Sequence, residues 1–284
     1  MSIRNECMVV NLQIGIWAGH KLDKEASQKV TQDAGAATGA ARVNKHLIPQ
    51  DALQPILTAA SAMRNHFYTQ TLPWKDNGDR LLPRKMFTKF ADRHGELKSQ
   101  FDSAVIKFVT DTYMKARDQA EFRMGDLFKE ADYPEPRTIV ARFYANMDID
   151  SITDSKDFRV KLEDDDANAI KANLDAAVSS RMNKAMLEVW ERLAKVVGNF
   201  ADRVGGEGRL RQEVFDNLDE IVTTLPDMNF GDDANLEAIR ARISTTLLGY
   251  SPKDIKDDTK ARSEIGAEAK KIMEEMSGFM KAFG

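Results

Sequence analysis

The chain has 284 residues, of which 42% are hydrophobic, 30% are charged and 8% are aromatic, and its formal net charge is −4. This composition is typical of a soluble, helix-rich globular protein, and the scarcity of glycine and proline argues against an all-β fold with many turns. The single cysteine, Cys7, excludes an intramolecular disulfide and a cysteine-only zinc site, which fits a reducing cytosol.

The net charge hides an asymmetry between the two ends of the chain. Residues 1–100 carry 14 Lys and Arg against 9 Asp and Glu, whereas residues 101–284 carry 27 against 36. A mildly basic front and an acidic remainder do not indicate a protein that coats DNA. Residues 9–17 are too short and too polar for a signal peptide, and no apolar run approaches the length of a bilayer-spanning helix.

The first third of the chain predicts one strand and one helix. Apolar and polar residues alternate in part over residues 9–17, which is the period of a half-buried strand. Residues 51–70 carry an apolar stripe at spacings of three and four, which predicts a helix that tolerates Pro55 near its first turn. Residues 31–41 are small and nearly featureless, which indicates a loop or a frayed helix start.

The middle of the chain predicts a long helix followed by two short strands. Helix-compatible residues run almost unbroken over residues 84–131 and stop before the prolines of residues 133–136. Residues 139–143 and 158–162 are β-branched or alternating. We therefore expect a small three-stranded sheet built from residues near 9–17, 139–147 and 157–162.

A second long helix is predicted over residues 164–205, because three aspartates open it, apolar residues recur every three or four positions, and two glycines close it. A helix of about 60 Å needs a partner, and residues 84–131 would supply it as an antiparallel neighbour. Shorter helices follow near 208–224, 233–248 and 253–282. The expected fold is mainly α: an elongated antiparallel long-helix bundle with a minor sheet, divisible near residue 165 but forming one continuous structure.

No catalytic motif can be identified in the sequence. There is no phosphate-cradling P-loop, no nucleophile elbow and no His-Glu-x-x-His. The four histidines lie at intervals of 26, 20 and 28 residues, so none forms a local metal-binding pair. The sequence therefore does not support an enzyme and implies no cofactor.

One cluster of carboxylates is a candidate metal site. Asp148 and Asp150 would share one face of a strand, with Asp154 and Asp157 close behind, and could bridge a hard cation such as Mg²⁺. The simpler interpretation, which we favour, is a solvated loop between strands.

The basic front of the chain contains the candidate binding surface. Basic groups that meet phosphates, interleaved with aromatic rings that stack on bases, are typical of proteins that bind single-stranded nucleic acid. The candidates are Arg42, Lys45, Arg64, His66, Tyr68, Trp74, Arg80 and Arg84, accompanied by His46 and Lys85. In the simpler interpretation, which we favour, Trp74 fills the junction between two helices and the arginines face water or Asp79.

Several short motifs resemble an uncharacterised family of tailed phages and plasmids, known only as a domain of unknown function. They are residues 16–19 (IWAG), 42–49 (RVNKHLIP), 71–74 (TLPW), 78–83 (GDRLLP) and 132–134 (DYP). The resemblance covers most of residues 9–165. Members of the family are often encoded near a MoxR-type AAA+ ATPase and a von Willebrand-A-type protein, so the resemblance implies an AAA+ ATPase as a possible partner and assigns no catalytic residue.

Together these observations predict a non-enzymatic phage protein that acts through protein–protein contacts in the cytoplasm of the bacterial host. It would be an adaptor or an oligomerising accessory factor, with the ATPase or a second copy of itself as partner. The alternative is a single-stranded nucleic-acid-binding protein of phage DNA metabolism.

Overall fold

The computed structural model describes residues 3–49, 51–157, 160, 163–206, 211–255 and 258–283. The α-helices in these residues are α1 (Ile3–Glu6), α2 (Lys24–Asp33), α3 (Gln54–Gln70), α4 (Phe87–Lys107), α5 (Met114–Asp118), α6 (Ala120–Met124), α7 (Pro136–Val140), α8 (Asp164–Gly205), α9 (Gln212–Met228), α10 (Ala234–Thr246), α11 (Pro252–Ile255) and α12 (Thr259–Met280). The strands are β1 (Cys7–Gly15), β2 (His20–Asp23), β3 (Val43–His46), β4 (Leu72–Pro73), β5 (Arg80–Pro83) and β6 (Tyr144–Asp150). The prediction of a mainly α fold with a minor antiparallel sheet is confirmed.

The chain folds into two compact units that interleave along the sequence. Unit 1 consists of Met1–Asn11, Thr69–Phe90 and Asp148–Gly284, and unit 2 consists of Leu12–Tyr68 and Ala91–Met147. The sequence suggested a different division, near residue 165. Each unit is instead assembled from segments that are far apart in the chain.

The larger sheet has the strand order β4-β5-β1-β6. Strands β1 and β5 are antiparallel, with Cys7 opposite Pro83 and Val10 opposite Arg80. The strand predicted at residues 9–17 is thus confirmed, with a start two residues earlier. The sheet has four strands where three were expected, because the sequence analysis missed β4 and β5.

The predicted strand at residues 139–147 is wrong in its first half. Pro136 opens a short helix there, α7, behind an extended Glu135, and β6 begins only at Tyr144. Proline at the first helical position is pre-organised for a helix, and this local effect outweighs the β preference of Ile139 and Val140. The strand predicted at residues 157–162 lies for the most part outside the described residues.

Strands β4 and β5 form a hairpin around an Asn-Gly turn. Leu72 lies opposite Leu81, and Gly78 has a φ of 94°, a backbone conformation that glycine adopts without strain. The side chain of Asn77 accepts a hydrogen bond from the Asp79 N–H at 3.1 Å. This hairpin was not predicted from the sequence.

The helix predicted over residues 84–131 is broken at several points. It runs as α4, passes through one π-helical segment at Phe108–Tyr113, continues as α5 and ends with α6 at Met124. Gly125 follows with a φ of 50°, which ends the helical run. Short 3₁₀ turns occupy Gly125–Leu127 and Glu130–Asp132.

Unit 1 is built around α8, which spans 42 residues and is close to the predicted helix in its bounds. Its helical neighbours in this unit are α12 and α9. The predicted partner, residues 84–131, belongs largely to unit 2, whereas the helices that pack against α8 within unit 1 are C-terminal ones. Helix α12 runs antiparallel to α8, since Gly266 lies near Gly205 and Phe279 lies against Trp190.

The other C-terminal helices agree with the sequence apart from their ends. Helix α9 continues to Met228 with Pro226 inside it, although the sequence predicted that it would stop before that proline. Proline cannot donate a backbone hydrogen bond and clashes with the carbonyl four residues earlier, which costs about 3 kcal/mol inside a helix. Burial of Leu225 and Met228 on either side of it offsets this cost. In the part of the chain that the structure describes, no helix is both long and apolar enough to cross a membrane.

Unit 2 has its own core of aromatic and aliphatic side chains. The ring of Trp17 meets that of Tyr113 edge-on at 5.6 Å, and Phe108 meets Phe143 in the same manner at 5.6 Å. The π-helical segment supplies both Phe108 and Tyr113. The two-stranded ribbon of β2 and β3 belongs to this unit and was not predicted from the sequence.

Candidate functional site

The predicted binding residues fall into both units, so neither unit contains a site made of all of them. Unit 2 holds Arg42, Lys45, Arg64, His66 and Tyr68, whereas unit 1 holds Trp74, Arg80 and Arg84. Their surroundings differ in burial and in the partners of each side chain.

Lys45 lies in a buried ion-pair cluster and not on a binding surface. Its side chain is 3% exposed, and its ammonium group lies 3.2 Å from the carboxylate of Asp23 and in hydrogen-bond contact with that of Asp132. It also donates to the Leu127 carbonyl at 3.2 Å. Lys21, which is opposite Lys45 in the ribbon, donates to Asp132 at 2.6 Å. Two lysines therefore face two aspartates.

The lysines and aspartates of the cluster stabilise one another's charged forms. Burial alone would lower the pKa of Lys45, but hydrogen bonds from it to Asp132 and Asp23 outweigh burial and raise that pKa. The pKa of Asp23 is lowered, first by the Ala26 N–H that its carboxylate accepts. Burial would raise the pKa of Asp132, yet Lys21 and Lys45 bring it below its ordinary value. The groups stay charged at neutral pH, which suits a structural clamp.

Trp74 is buried, and Arg80 is half-buried with its guanidinium bonded to Thr71. Trp74 is 5% exposed, and the guanidinium of Arg181 lies 5.8 Å from the centre of its ring. Arg80 donates to both the hydroxyl and the carbonyl oxygen of Thr71, at 2.7 and 2.8 Å. Neither side chain presents a stacking face or a free fork to a nucleic acid.

Arg84 lines a cleft of about 160 Å³ in unit 1. Its guanidinium pairs with Glu6 at 3.3 Å, and Lys85 donates to the Pro226 carbonyl at 3.4 Å. Asp227 and Asp232 line the same cleft. Carboxylates thus balance the two cations, and the cleft is not an anion-binding patch.

The remaining predicted residues lie at the surface of unit 2. Arg42 and Tyr68 are exposed, with Tyr68 at 54%, and Arg64 and His66 are half-buried. Arg64 and Tyr68 are one turn apart on α3, so their side chains share a face of that helix. Of the eight predicted binding residues, this pair comes nearest to the expected combination of a cation and an aromatic ring.

The acidic cluster does not gather into a cation site. Asp148 and Asp150 are both exposed on β6, and Asp154 forms an ion pair with Arg4 at 3.1 Å. Across the described residues, no three or more His, Cys, Asp or Glu side chains are placed to hold a metal ion together.

Unit 2 instead carries an exposed apolar surface that the sequence analysis did not identify. Thirteen large apolar side chains are exposed in the described part of the chain, and ten of them lie in unit 2. Phe122 stands out at 97% exposure, where the others range from 36% to 63%. Ile106 and Met114 precede it along the same helical run.

Phe122 is exposed because the residues next to it fix the position of α6. Its neighbour Ala120 is fully buried, and the guanidinium of Arg123 donates to the carbonyl of Leu47, so α6 is attached on both sides of the phenylalanine. Leaving a phenylalanine in water forfeits about 1.5–3 kcal/mol of burial free energy. A side chain held outward at this cost is available to a partner.

Tyr144 adds an aromatic ring to the exposed surface of the same unit. It is 47% exposed, and a Cβ added at Gly15 would lie within 2.2 Å of its ring. The glycine therefore makes room for the tyrosine. The exposed apolar side chains of unit 2, among them Ile106, Met114, Phe122 and Tyr144, have no periodic signature, because exposure depends on which side chains the rest of the fold covers.

Comparisons with known proteins identify no relative of this chain. No family model matches it, and neither the curated proteins nor the solved structures contain a significant match.

Proposed function

We propose that the protein is a non-enzymatic adaptor or oligomerising accessory factor of a tailed phage, and that it acts through protein–protein contacts in the infected bacterial cytoplasm. The observation that carries this proposal is the 97% exposure of Phe122 on an anchored helix. The phage setting and the AAA+ ATPase as one possible partner come from the resemblance of the motifs described above.

Physical arguments favour a protein partner for the exposed apolar side chains of unit 2. Aromatic anchors surrounded by smaller contacts supply most of the binding energy in protein interfaces. Phe122 would be such an anchor. Ile106 and Met114, which are exposed further back on the same helical run, would add apolar contacts to an extended partner. Charged side chains around Phe122, among them Glu121 and Arg123, would form the polar rim that such interfaces have.

The proposal is tested by comparing Phe122→Ala with Tyr250→Ala, a control at an exposed aromatic residue of unit 1. Self-association is measured by light scattering, and binding is measured with a purified MoxR-type AAA+ ATPase. We expect the wild type and Tyr250→Ala to form the same complex with fixed stoichiometry, and Phe122→Ala to weaken it at least tenfold, which corresponds to about 1.4 kcal/mol.

Thermal melting shows whether each variant still folds. Since Phe122 contacts little in the free protein, its replacement should leave the melting temperature unchanged. A wild-type protein that stays monomeric and does not bind the ATPase would contradict the proposal, as would a complex that Phe122→Ala forms with full affinity.

One observation supports the alternative, a single-stranded nucleic-acid-binding protein. Arg64 and Tyr68 share a face of α3, and a cation next to an exposed ring suits a phosphate beside a stacked base. Binding of labelled single-stranded DNA should then weaken steeply with salt, and Tyr68→Ala should reduce affinity at every salt concentration. Absence of binding at low salt would dismiss this alternative.

A further inference from the structure

The ribbon of β2 and β3 brings two distant histidines together. His20 is the first residue of β2 and His46 is the last residue of β3, and they are directly opposite each other in the antiparallel register. Their ring centres lie 6.1 Å apart, and both side chains are exposed. In the sequence they are 26 residues apart and form no recognisable motif.

The hydrogen-bond pattern of the ribbon places this pair at a close position. The Leu47 N–H donates to the Gly19 carbonyl at 2.9 Å, so Gly19 and Leu47 are a hydrogen-bonded pair. Pairs alternate along an antiparallel ladder, and His20 with His46 is therefore a non-hydrogen-bonded pair. Such pairs have the shorter Cα separation, about 4.5 Å, and their side chains approach more closely.

One backbone contact sets the tautomer of His20. Its Nδ1 lies 3.0 Å from the carbonyl oxygen of Ala18. A carbonyl oxygen can only accept, so Nδ1 carries the proton in this contact and Nε2 keeps its lone pair. Metal-binding histidines are held in this manner, with one ring nitrogen donating to a carbonyl and the other facing the ion.

The two lysines next to the histidine pair are themselves paired with carboxylates, which reduces their repulsion of a cation. The next register position holds Lys21 and Lys45, which would disfavour a metal ion if they were unpaired. Their ammonium groups, however, contact the carboxylates of Asp132 and Asp23. These four groups lie on the opposite face of the ribbon from the imidazoles, since side chains alternate along a strand.

We propose that His20 and His46 form a two-imidazole site for a divalent transition-metal ion of the Zn²⁺, Ni²⁺ or Cu²⁺ type. Imidazole is a ligand that suits these ions, in contrast to Mg²⁺ or Ca²⁺, which prefer oxygen. Two protein ligands leave coordination positions open to water, because both side chains are at the surface. The site depends only on the ribbon and is independent of the function proposed above.

Calorimetric titration of the full chain with ZnCl₂, after treatment with a chelator, tests the site. We expect one Zn²⁺ per chain, and we expect His20→Ala and His46→Ala each to weaken binding by at least ~10-fold, since even the loss of an outer-shell partner costs that much. His66→Ala, a histidine on α3, is the matched control and should bind as the wild type does. MgCl₂ should produce no binding heat.

An independent signal comes from the imidazole nitrogens in NMR spectra. Zn²⁺ should shift the Nε2 resonance of His20 and leave its Nδ1 proton bound to the Ala18 carbonyl. His46→Gln keeps a polar residue in the strand and replaces His46→Ala if that variant does not fold. A wild-type chain without bound Zn²⁺, or variants at residues 20 and 46 that bind as tightly as His66→Ala, would overturn the proposal.

Discussion

The ammonium group of Lys45 lies 3.2 Å from the carboxylate of Asp23, inside unit 2 and almost wholly shielded from water. Asp23 ends β2 and also begins α2, because its side chain accepts the Ala26 N–H at 3.0 Å. The Asp23 carboxylate thus links β2, α2 and, through Lys45, β3. With Asp132 the contact extends to the segment after α6, and the cluster stabilises the ribbon that presents the two histidines.

Replacing Lys45 should cost more than replacing its neighbour in the ribbon. Lys45→Met leaves Asp23 and Asp132 as like charges without a buried cation, and breaking a buried pair in this manner costs about 3–5 kcal/mol. Lys21→Met is the matched control, because that side chain is 54% exposed and its pair should contribute less than about 1 kcal/mol. Urea denaturation measures the loss in free energy of unfolding for both variants. Equal losses would contradict the conclusion that the buried Lys45 ion pairs stabilise unit 2.

Acid should weaken the same cluster. The folded-state pKa values of Asp23 and Asp132 lie below the ordinary carboxyl value, so their stabilisation is present above about pH 4 and is lost as the pH falls through the folded values. The pKa of Lys45 is raised, so its contribution persists until the pH exceeds its ordinary range. We expect the free energy of unfolding of Asp132→Asn to approach that of the wild type as the pH falls below about 4.

Unfolding curves at several pH values test this expectation. A difference between wild type and Asp132→Asn that stays constant down to pH 3 would show that the carboxylate is not held in its charged form by the cluster. The stabilisation from Lys45 is lost at high pH instead of low pH, because its folded-state pKa is raised. We therefore expect no decrease in the free energy of unfolding from this residue between pH 6 and pH 9.

Asp233 should contribute more than an ordinary helix cap. Its carboxylate accepts the Asn235 N–H at 2.9 Å at the start of α10 and also the indole N–H of Trp190 at 3.0 Å. Trp190 is fully buried, so Asp233→Ala removes a cap worth about 1 kcal/mol and leaves an indole donor unsatisfied, which costs about 1–3 kcal/mol more.

Asp258 is the matched control for that change. It caps α12 through the N–H groups of Lys260 and Ala261, and Asp258→Ala should cost only the cap, about 1 kcal/mol. Chemical denaturation compares the two variants. Asp233→Asn keeps one accepting oxygen where Asp233 uses two, so it should retain either the cap or the bond from the Trp190 indole and lose less than Asp233→Ala does. A loss as large as that of Asp233→Ala would point to the negative charge instead.

Two glycines of α12 should respond in opposite directions to alanine. A Cβ at Gly266 would lie 3.1 Å from the Cα of Gly205, and that backbone atom of α8 cannot move aside cheaply. Gly266→Ala should therefore destabilise unit 1 by about 1–3 kcal/mol. Gly278 meets nothing within 4 Å, so Gly278→Ala should stabilise the helix by up to about 1 kcal/mol. Melting temperatures that move together would contradict the close approach of the two helices.

Elements that rest on local patterns agree with the sequence. Helix α8 was predicted from three opening aspartates, a stripe of apolar residues and a closing glycine pair, and α3 from a similar stripe. Strand β1 followed from its alternation. In each case the signal lies within the element, because burial of one face selects the period of the sequence.

The hairpin of β4 and β5 shows where an available signal was missed. Asn77 and Gly78 form a dipeptide that favours a hairpin turn, although charged residues flank it and the apolar residues of the strands begin only at Leu72 and Leu81. The two prolines nearby favoured the interpretation as a junction between helices. The register with β1 supplied the partners that such short strands need.

The candidate sites were harder to predict than the elements. Lys45 was selected as a surface cation because lysine is rarely buried, and it is buried here only because Asp23 and Asp132 reach it from positions far along the chain. The exposure of Phe122 could not be inferred, since an aromatic residue in a helix usually faces a core.

The sequence by itself determined the helical class of the protein, the limits of α3 and α8, the first strand, and the absence of the common catalytic motifs. Tertiary structure decided the rest: which helix pairs with α8, which cations are neutralised, and which histidines meet. Local propensity and periodicity act within a few residues and can be recognised in one segment. Contacts such as that of His20 with His46 depend on the pairing of segments, whose free energy is distributed over the entire fold.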